Sequence, residues 1–148
     1  MEADLREPHR LLAHPEVVRH IDFDRPCALL QSGTMHHLAD DENPGEIMRA
    51  YRDALPSGSY VAVCHFWDPA EESPEDSAFA KEMQQRLTGS TMGTGRFRTR
   101  AEIAAFLDGL ETVDPGLVML HEWWPEGPRI APLTQMDKVF LSGVARKP

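Results

Sequence analysis

Histidine is the side chain whose ordinary pKa lies closest to neutral pH, and this 148-residue chain sets two side by side at His36-His37, with a third at His65. The pair follows a small polar turn, Gln31-Ser32-Gly33-Thr34, and His65 closes the apolar run Tyr60-Val61-Ala62-Val63-Cys64. Chemistry open to such a set is general-base catalysis or, with all three, metal ligation. Adjacent histidines in one strand-end turn point apart, and no Cys/His/Asp set with ligand spacing surrounds them. A capping or polar-loop role is therefore weighed above a base, and a metal site is expected to be absent. His9, His14 and His20 are spaced along a polar helical region and read as surface residues. His121, Trp123 and Trp124 fall near a strand end, where packing of the indoles outweighs contact with a substrate.

Something must position these groups. Cys27-Ala28-Leu29-Leu30 is an apolar run, a helical pattern follows from Pro44 to Leu55, and Leu55-Pro56-Ser57-Gly58-Ser59 leads into the run 60–64. Strand, crossover helix and strand in that order predict a parallel βαβ unit. Both runs lack polar alternation, as expected of strands covered on both faces. Ligands of open α/β sheets bind beyond the C-terminal strand ends, which is where Gln31–His37 and His65, Phe66 and Trp67 fall. Asn43-Pro44 reads as an N-cap followed by proline in the first turn, and Ile47, Tyr51 and Leu55, with Met48, make one buried stripe.

Upstream, a short helix is predicted over 7–13 and a second turn from Pro15. Downstream, Phe79, Met83 and Leu87 mark a helix over 74–88, and Thr99 with Glu102 forms a capping box opening a helix over 99–109. Gly116–Trp123 and Lys138–Arg146 read as a closing antiparallel pair joined by the Pro-rich loop 125–137. The cluster Gly89-Ser90-Thr91-Met92-Gly93-Thr94-Gly95 follows a helical pattern rather than a strand and reads as a flexible loop.

The length fits one domain, 1–148. A net charge of −9 argues against unassisted nucleic-acid binding, which needs basic patches. Acidic groups gather at Asp40-Asp41-Glu42 and from Glu71-Glu72 to Asp76, and read as solvated faces. Cys27 and Cys64 both fall in predicted strands and read as small buried hydrophobes in a reducing compartment. No apolar run approaches a membrane span. A soluble, cytoplasmic protein without nucleic-acid or membrane partners is expected.

Several segments in order carry a resemblance. Ala3-Asp4-Leu5-Arg6-Glu7-Pro8 precedes the unit above, and Arg52-Asp53-Ala54-Leu55 with Pro56-Ser57-Gly58-Ser59 leads to the strand closing in His65. Arg98-Thr99-Arg100-Ala101-Glu102-Ile103 and Phe106-Leu107-Asp108-Gly109-Leu110 follow, then Val113-Asp114-Pro115-Gly116-Leu117-Val118 with Trp123, Trp124 and Pro125 beyond it. Val139-Phe140-Leu141-Ser142-Gly143-Val144-Ala145-Arg146-Lys147 ends the series. Together these resemble the C-terminal half of the class I S-adenosylmethionine-dependent methyltransferases, in particular an actinobacterial subfamily formerly carried as a domain of unknown function.

The resemblance implies an α/β fold: half of a Rossmann-like sheet, with two parallel strands, a crossover helix and a final antiparallel pair. It implies S-adenosylmethionine as cofactor and a small-molecule methyl acceptor. Asp4 and Leu5 become the adenine side of the site, and Gln31, Ser32, Gly33 and Thr34 the methionine side. His36, His37 and His65 become the candidates for a catalytic base. The first strand, Gly-rich turn and ribose-binding acid of that family have no counterpart in these residues, so the main cofactor-binding half is expected to be missing. An uncovered edge would then remain at residues 27–31, and a homodimer formed through it is expected. Two functions follow: a methyltransferase present as its C-terminal half, or a non-catalytic, self-associating remnant of the fold.

Overall fold

The first parallel pair forms where the apolar runs predict it. The protein is described from a computed structural model covering residues 2–124, 127–128 and 131–148. Two short helices come first, α1 (Pro8–Leu12) and α2 (Pro15–His20), each opened by its proline. Strand β1 (Ala28–Ser32) then pairs with β2 (Tyr60–Phe66) in parallel register from Ala28 opposite Tyr60 to Ser32 opposite Cys64. Between them runs the crossover helix α3 (Pro44–Ala54). Its predicted stripe is buried: Ile47, Met48 and Tyr51, with Leu55 just beyond, all enter the core.

The second half of the chain builds the rest of the sheet. Helix α4 (Pro74–Thr88) starts at Ser73, whose hydroxyl accepts from the Asp76 N–H. Helix α5 (Arg100–Ala105) starts in the predicted capping box: Thr99 accepts from the Glu102 N–H, and Glu102 reaches back to the Thr99 N–H. Strands β3 (Glu111–Thr112) and β4 (Val118–Met119) are two residues each. Both pair antiparallel with β5 (Phe140–Arg146), whose other edge pairs antiparallel with β2 from Tyr60 opposite Arg146 to Phe66 opposite Phe140. The sheet order is β1-β2-β5-β3, with β4 also on β5.

The core lies on one side of this mixed sheet. Val61 and Val63 of β2 and Leu141 and Ala145 of β5 pack with the α3 stripe and with Ile103, Phe106 and Leu107. Gly143 belongs to the same face of β5. A Cβ there would stand 3.1 Å from Leu117 Cδ1 and 3.3 Å from Leu107 Cδ1, so the bare backbone is what lets both leucines close over the strand.

Four expectations are corrected. Strand β1 is not covered on both faces: Ala28 and Ser32 are exposed, and Leu30 is 70% exposed. Asn43 stands at the N-cap of α3, but in the left-handed region (φ 54°), and its side-chain amide donates to the Asp41 carbonyl instead of capping the helix. The helix expected over 99–109 ends at Ala105 and finishes as turns to Gly109, whose φ of 78° suits glycine. The strand expected over 116–123 shrinks to β4, because the chain turns away at Leu120–Glu122. Pro125, and part of the loop 125–137, lie outside the described residues. Cys27 and Cys64 are free thiols, both half-buried.

Candidate functional site

Beyond β1 the chain makes a tight exit. Gly33 takes a φ of 70°, and its N–H donates to the Cys64 carbonyl at 3.4 Å, tying the turn to β2. Gln31 is buried and accepts a short hydrogen bond from the Thr34 hydroxyl, while Ser32 and Gly33 face solvent. A Cβ at Gly33 would meet nothing nearer than His36 Cε1 at 3.9 Å, so its backbone is open to close approach by a ligand.

The three histidines converge here, contrary to the expectation that the adjacent pair points apart, but they are in different states. The His36 ring stacks on Phe66 with centroids 3.9 Å apart, and stands 4.4 Å from His37 and 5.8 Å from His65. It is 6% exposed, and its Nδ1 has no hydrogen-bond partner among the described residues. Burial pushes the pKa of His36 down to about 3, helped by the nearby His37, His65 and Arg98. His37 is exposed, and its Nδ1 lies 2.8 Å from the Thr94 hydroxyl. His65 is fully buried between Arg98 and the Phe66 carbonyl. A guanidinium has only hydrogens to give, so His65 Nε2 accepts from Arg98 Nη1 at 3.0 Å. The ring proton is therefore on Nδ1, which donates to the Phe66 carbonyl at 2.7 Å. Burial pushes this pKa down to about 4, with the Phe66 bond opposing and the Arg98 charge assisting. His65 is a neutral ring with both nitrogens engaged.

Arg98 is the buried charge of this neighbourhood that composition and spacing do not single out. It is 4% exposed and donates to the carbonyls of Met35 (3.3 Å) and Leu38 (3.0 Å), to His65, and to Asp40 Oδ1 (2.9 Å). Asp40 is largely solvated, so carbonyl dipoles supply much of what replaces water around the buried cation. The only local hint is an arginine standing directly before a capping box.

Asp4 and Leu5 occupy another neighbourhood. Both Asp4 carboxylate oxygens accept from Arg6, Oδ1 from its main-chain N–H and Nε and Oδ2 from Nε and Nη2. Arg6 also reaches Glu42 Oε1 at 2.8 Å, while Glu42 in turn accepts from the Ala39 N–H. The hydrogen bonds from Arg6 hold the Asp4 carboxyl down to about 2. The Leu5 carbonyl accepts from the Tyr51 hydroxyl at 2.8 Å. A cavity of about 520 Å³ beside Asp4 is lined by Ala3, Leu11, Glu7, Arg10 and His14. Asp4 is thus linked to the segment after His37 through Arg6, whereas Gln31–Thr34 is linked to β2. Among the described residues, no group of three or more His, Cys, Asp or Glu side chains is placed to hold a metal ion. Among the same residues, no helix is long and apolar enough to cross a membrane.

A parallel strand pair with its glycine turn at the C-terminal ends, extended by an antiparallel strand, is an α/β frame of the kind in which ligands generally bind beyond the strand ends. The family model for S-adenosyl methyltransferase matches residues 1–148, and the chain belongs to that family. It is 34% identical to a candidate methyltransferase from Thermobifida fusca YX, covering 99% of this chain and 53% of that one at a TM-score of 0.84. It is 33% identical to a DUF574 family protein from Streptomyces avermitilis MA-4680, covering 100% of this chain and 54% of that one at a TM-score of 0.85. An O-methyltransferase family protein from Burkholderia thailandensis, 11% identical, covers 99% of this chain and 35% of that one at a TM-score of 0.57 and shares the fold alone. The chain spans about half the length of the first two structures. No curated protein matches it.

Proposed function

We propose that this chain supplies the acceptor-side half of an S-adenosylmethionine-dependent methyltransferase acting on a small molecule in the cytoplasm. The observation that supports it best is the exit of β1, where an open left-handed glycine, a buried glutamine and two histidines meet at the C-terminal end of a parallel pair in a chain of this family. When bound, the cofactor supplies an electrophilic methyl group on a sulfonium, so the protein's task is alignment, exclusion of water and, for some acceptors, a base.

The residues present fit one wall of a site for that cofactor. Ser32 and Gly33 offer a hydroxyl and an uncrowded backbone for its methionine end, with Gln31 and Thr34 bonded behind them to hold the turn. Asp4, kept ionised by Arg6, offers carboxylate lone pairs to the adenine amino group, and Leu5 fixes that segment on Tyr51. Of the histidines, His37 is the base in this reading, because it is the exposed ring. His36 and His65 back it, His36 by its stack on Phe66 and His65 through Arg98. No acidic residue of this chain is assigned to the ribose hydroxyls. A complete pocket then draws on a further strand and Gly-rich turn.

Calorimetric titration of the chain with S-adenosylhomocysteine tests the reading. Binding weaker than micromolar is expected, and Asp4→Ala should weaken it further by about tenfold, through loss of an ionic hydrogen bond. Micromolar or tighter binding at one site per chain would overturn the one-wall assignment, and equal affinity in Asp4→Ala would remove Asp4 from it. A second reading, a non-catalytic remnant that works by self-association as a homodimer, is favoured by one feature, the bare β1 edge with Leu30 in solvent.

A further inference from the structure

We propose that Arg98 is the positioning residue of this site: one buried guanidinium grips the main chain on both sides of His36-His37 and so sets where that pair stands over the strand ends. The carbonyls it binds belong to Met35 and Leu38, the residues immediately before and after the pair. The pair's own first carbonyl, that of His36, accepts from the Arg96 N–H at 2.7 Å. Three carbonyls within four residues are therefore held by the short segment 96–98.

That segment is itself fixed to the exit of β2. The Arg98 N–H donates to the Phe66 carbonyl at 3.1 Å, and the Arg98 carbonyl accepts from the Asp68 N–H at 2.8 Å. The guanidinium also takes the lone pair of His65, so the same group that anchors the turn keeps the third histidine neutral and out of proton traffic. The Phe66 ring carries the His36 stack, and the Phe66 carbonyl carries both the Arg98 N–H and the His65 ring proton. Turn, β2 exit and segment 96–98 form one closed circuit of contacts with Arg98 at its centre. Only a planar fork can serve Met35, Leu38, Asp40 and His65 together, and an ammonium at the same place is a single point of donation. In consequence the pair cannot drift from the turn Gln31–Thr34 without breaking the fork.

The functional consequence rests on the methyltransferase reading, while the clamp rests on the hydrogen bonds alone, and one set of measurements separates them. The probe is nitrogen-15 NMR of the full chain, reading histidine tautomers and amide exchange. In the unmodified chain His65 should carry its proton on Nδ1, and a proton on Nε2 would overturn the proposal. In Arg98→Lys, the His65 tautomer should become mixed and exchange at the Leu38 and Arg96 amides should rise at least about tenfold, while Val61 and Val63 keep their rates. Arg100→Lys is the control: Arg100 binds Glu72 and the Leu117 carbonyl and lies over the Trp67 ring, with no hydrogen bond to the histidines or to the Met35–Leu38 carbonyls, and its loss should leave tautomer and exchange at Leu38 unchanged. Unchanged signals in Arg98→Lys, or equal changes in the control, would overturn the clamp. If Arg98→Lys does not fold, Asp40→Asn loosens the exposed end of the fork and should still raise Leu38 exchange, and no rise there would overturn it. Millimolar S-adenosylhomocysteine should shift the Gly33–His37 amides in the unmodified chain and not in Arg98→Lys. No shifts in the unmodified chain would overturn the methyltransferase reading, with the tautomer and exchange data still deciding the clamp.

Discussion

Strands β1 and β2 lie side by side in parallel register, and both are mostly apolar, yet they occupy opposite situations. Strand β2 has a partner on each edge, and its Val61, Val63 and His65 are sealed under α3 and the turns after α5. Among the described residues, strand β1 has a strand partner on one edge alone. Its Leu29 touches the core while Leu30 stands in water. Apolar composition therefore does not decide burial in this sheet; coverage of the face does, since Leu29 and Leu30 share a strand and its partner but point to opposite faces. The interior strand carries stability, and the edge strand leaves surface for something else to use.

Core truncation should separate the two regions most widely. Leu141→Ala, opposite His65 in the β2–β5 ladder, should cost about 2–5 kcal/mol of unfolding free energy, because it empties a fully buried site. Leu30→Ala should change stability by less than about 0.5 kcal/mol, as a solvated position does. Urea denaturation of both variants checks the pair, and a comparable loss in each would abolish the contrast.

Acid should act on the same interior. His36 and His65 have folded pKa values below the ordinary 6.5, so below that pH the unfolded chain takes up protons that the folded one refuses. Their contribution to stability is present above pH 6.5 and is lost as pH falls towards about 4 for His65 and about 3 for His36. Each contributes a slope of at most about 1.4 kcal/mol per pH unit within its window. His36→Phe, which keeps a ring on Phe66, should remove one histidine's share of the slope between pH 6 and 5. Denaturation curves at pH 7.5, 6 and 5 measure this, and an unchanged slope in the variant would return His36 to solvent.

At the edge, the expected effect on folding is small and the effect on association is not. If the bare side of β1 pairs with a second copy, Leu30→Lys should move the chain towards monomer, because charge on an edge strand opposes pairing. Sedimentation of the unmodified chain as a monomer at high micromolar concentration would show that the edge is not used this way.

The elements that local pattern specifies were legible from the residues. Ile47, Met48 and Tyr51 encode the buried face of α3, proline opens α1 and α2, and Thr99 with Glu102 encodes the start of α5 by a bond pattern internal to four residues. What sequence could not show depends on partners far along the chain. Glu111-Thr112 has no strand character of its own and becomes β3 only because Ala145 and Arg146 offer it a ladder. The exposure of Leu30 depends on which face of β1 is covered, which an apolar run does not encode. The site divides in the same way. The turn Gln31–Thr34 and the three histidines stand out by type and position, whereas Arg98 matters through the carbonyls of Met35 and Leu38, and main-chain acceptors leave no mark on a sequence. The glycine cluster 89–95 reads as a plain loop, yet Thr94 near its end bonds His37.

The placement of β5 also has a bearing on biosynthesis. The strand that sits between β2 and both β3 and β4 follows all of them in the chain, so on the ribosome β1 and β2 must wait for residues 140–146 before the second edge of β2 is paired. Pairings so distant along the chain form slowly, and domains begin to organise from their N-terminal end as they emerge. During that interval Val61 and Val63 are bare on a nascent two-stranded ribbon. Synthesis thus passes through a stage in which β2 is open to chaperones, and the arrival of residues 140–146 acts as the latch.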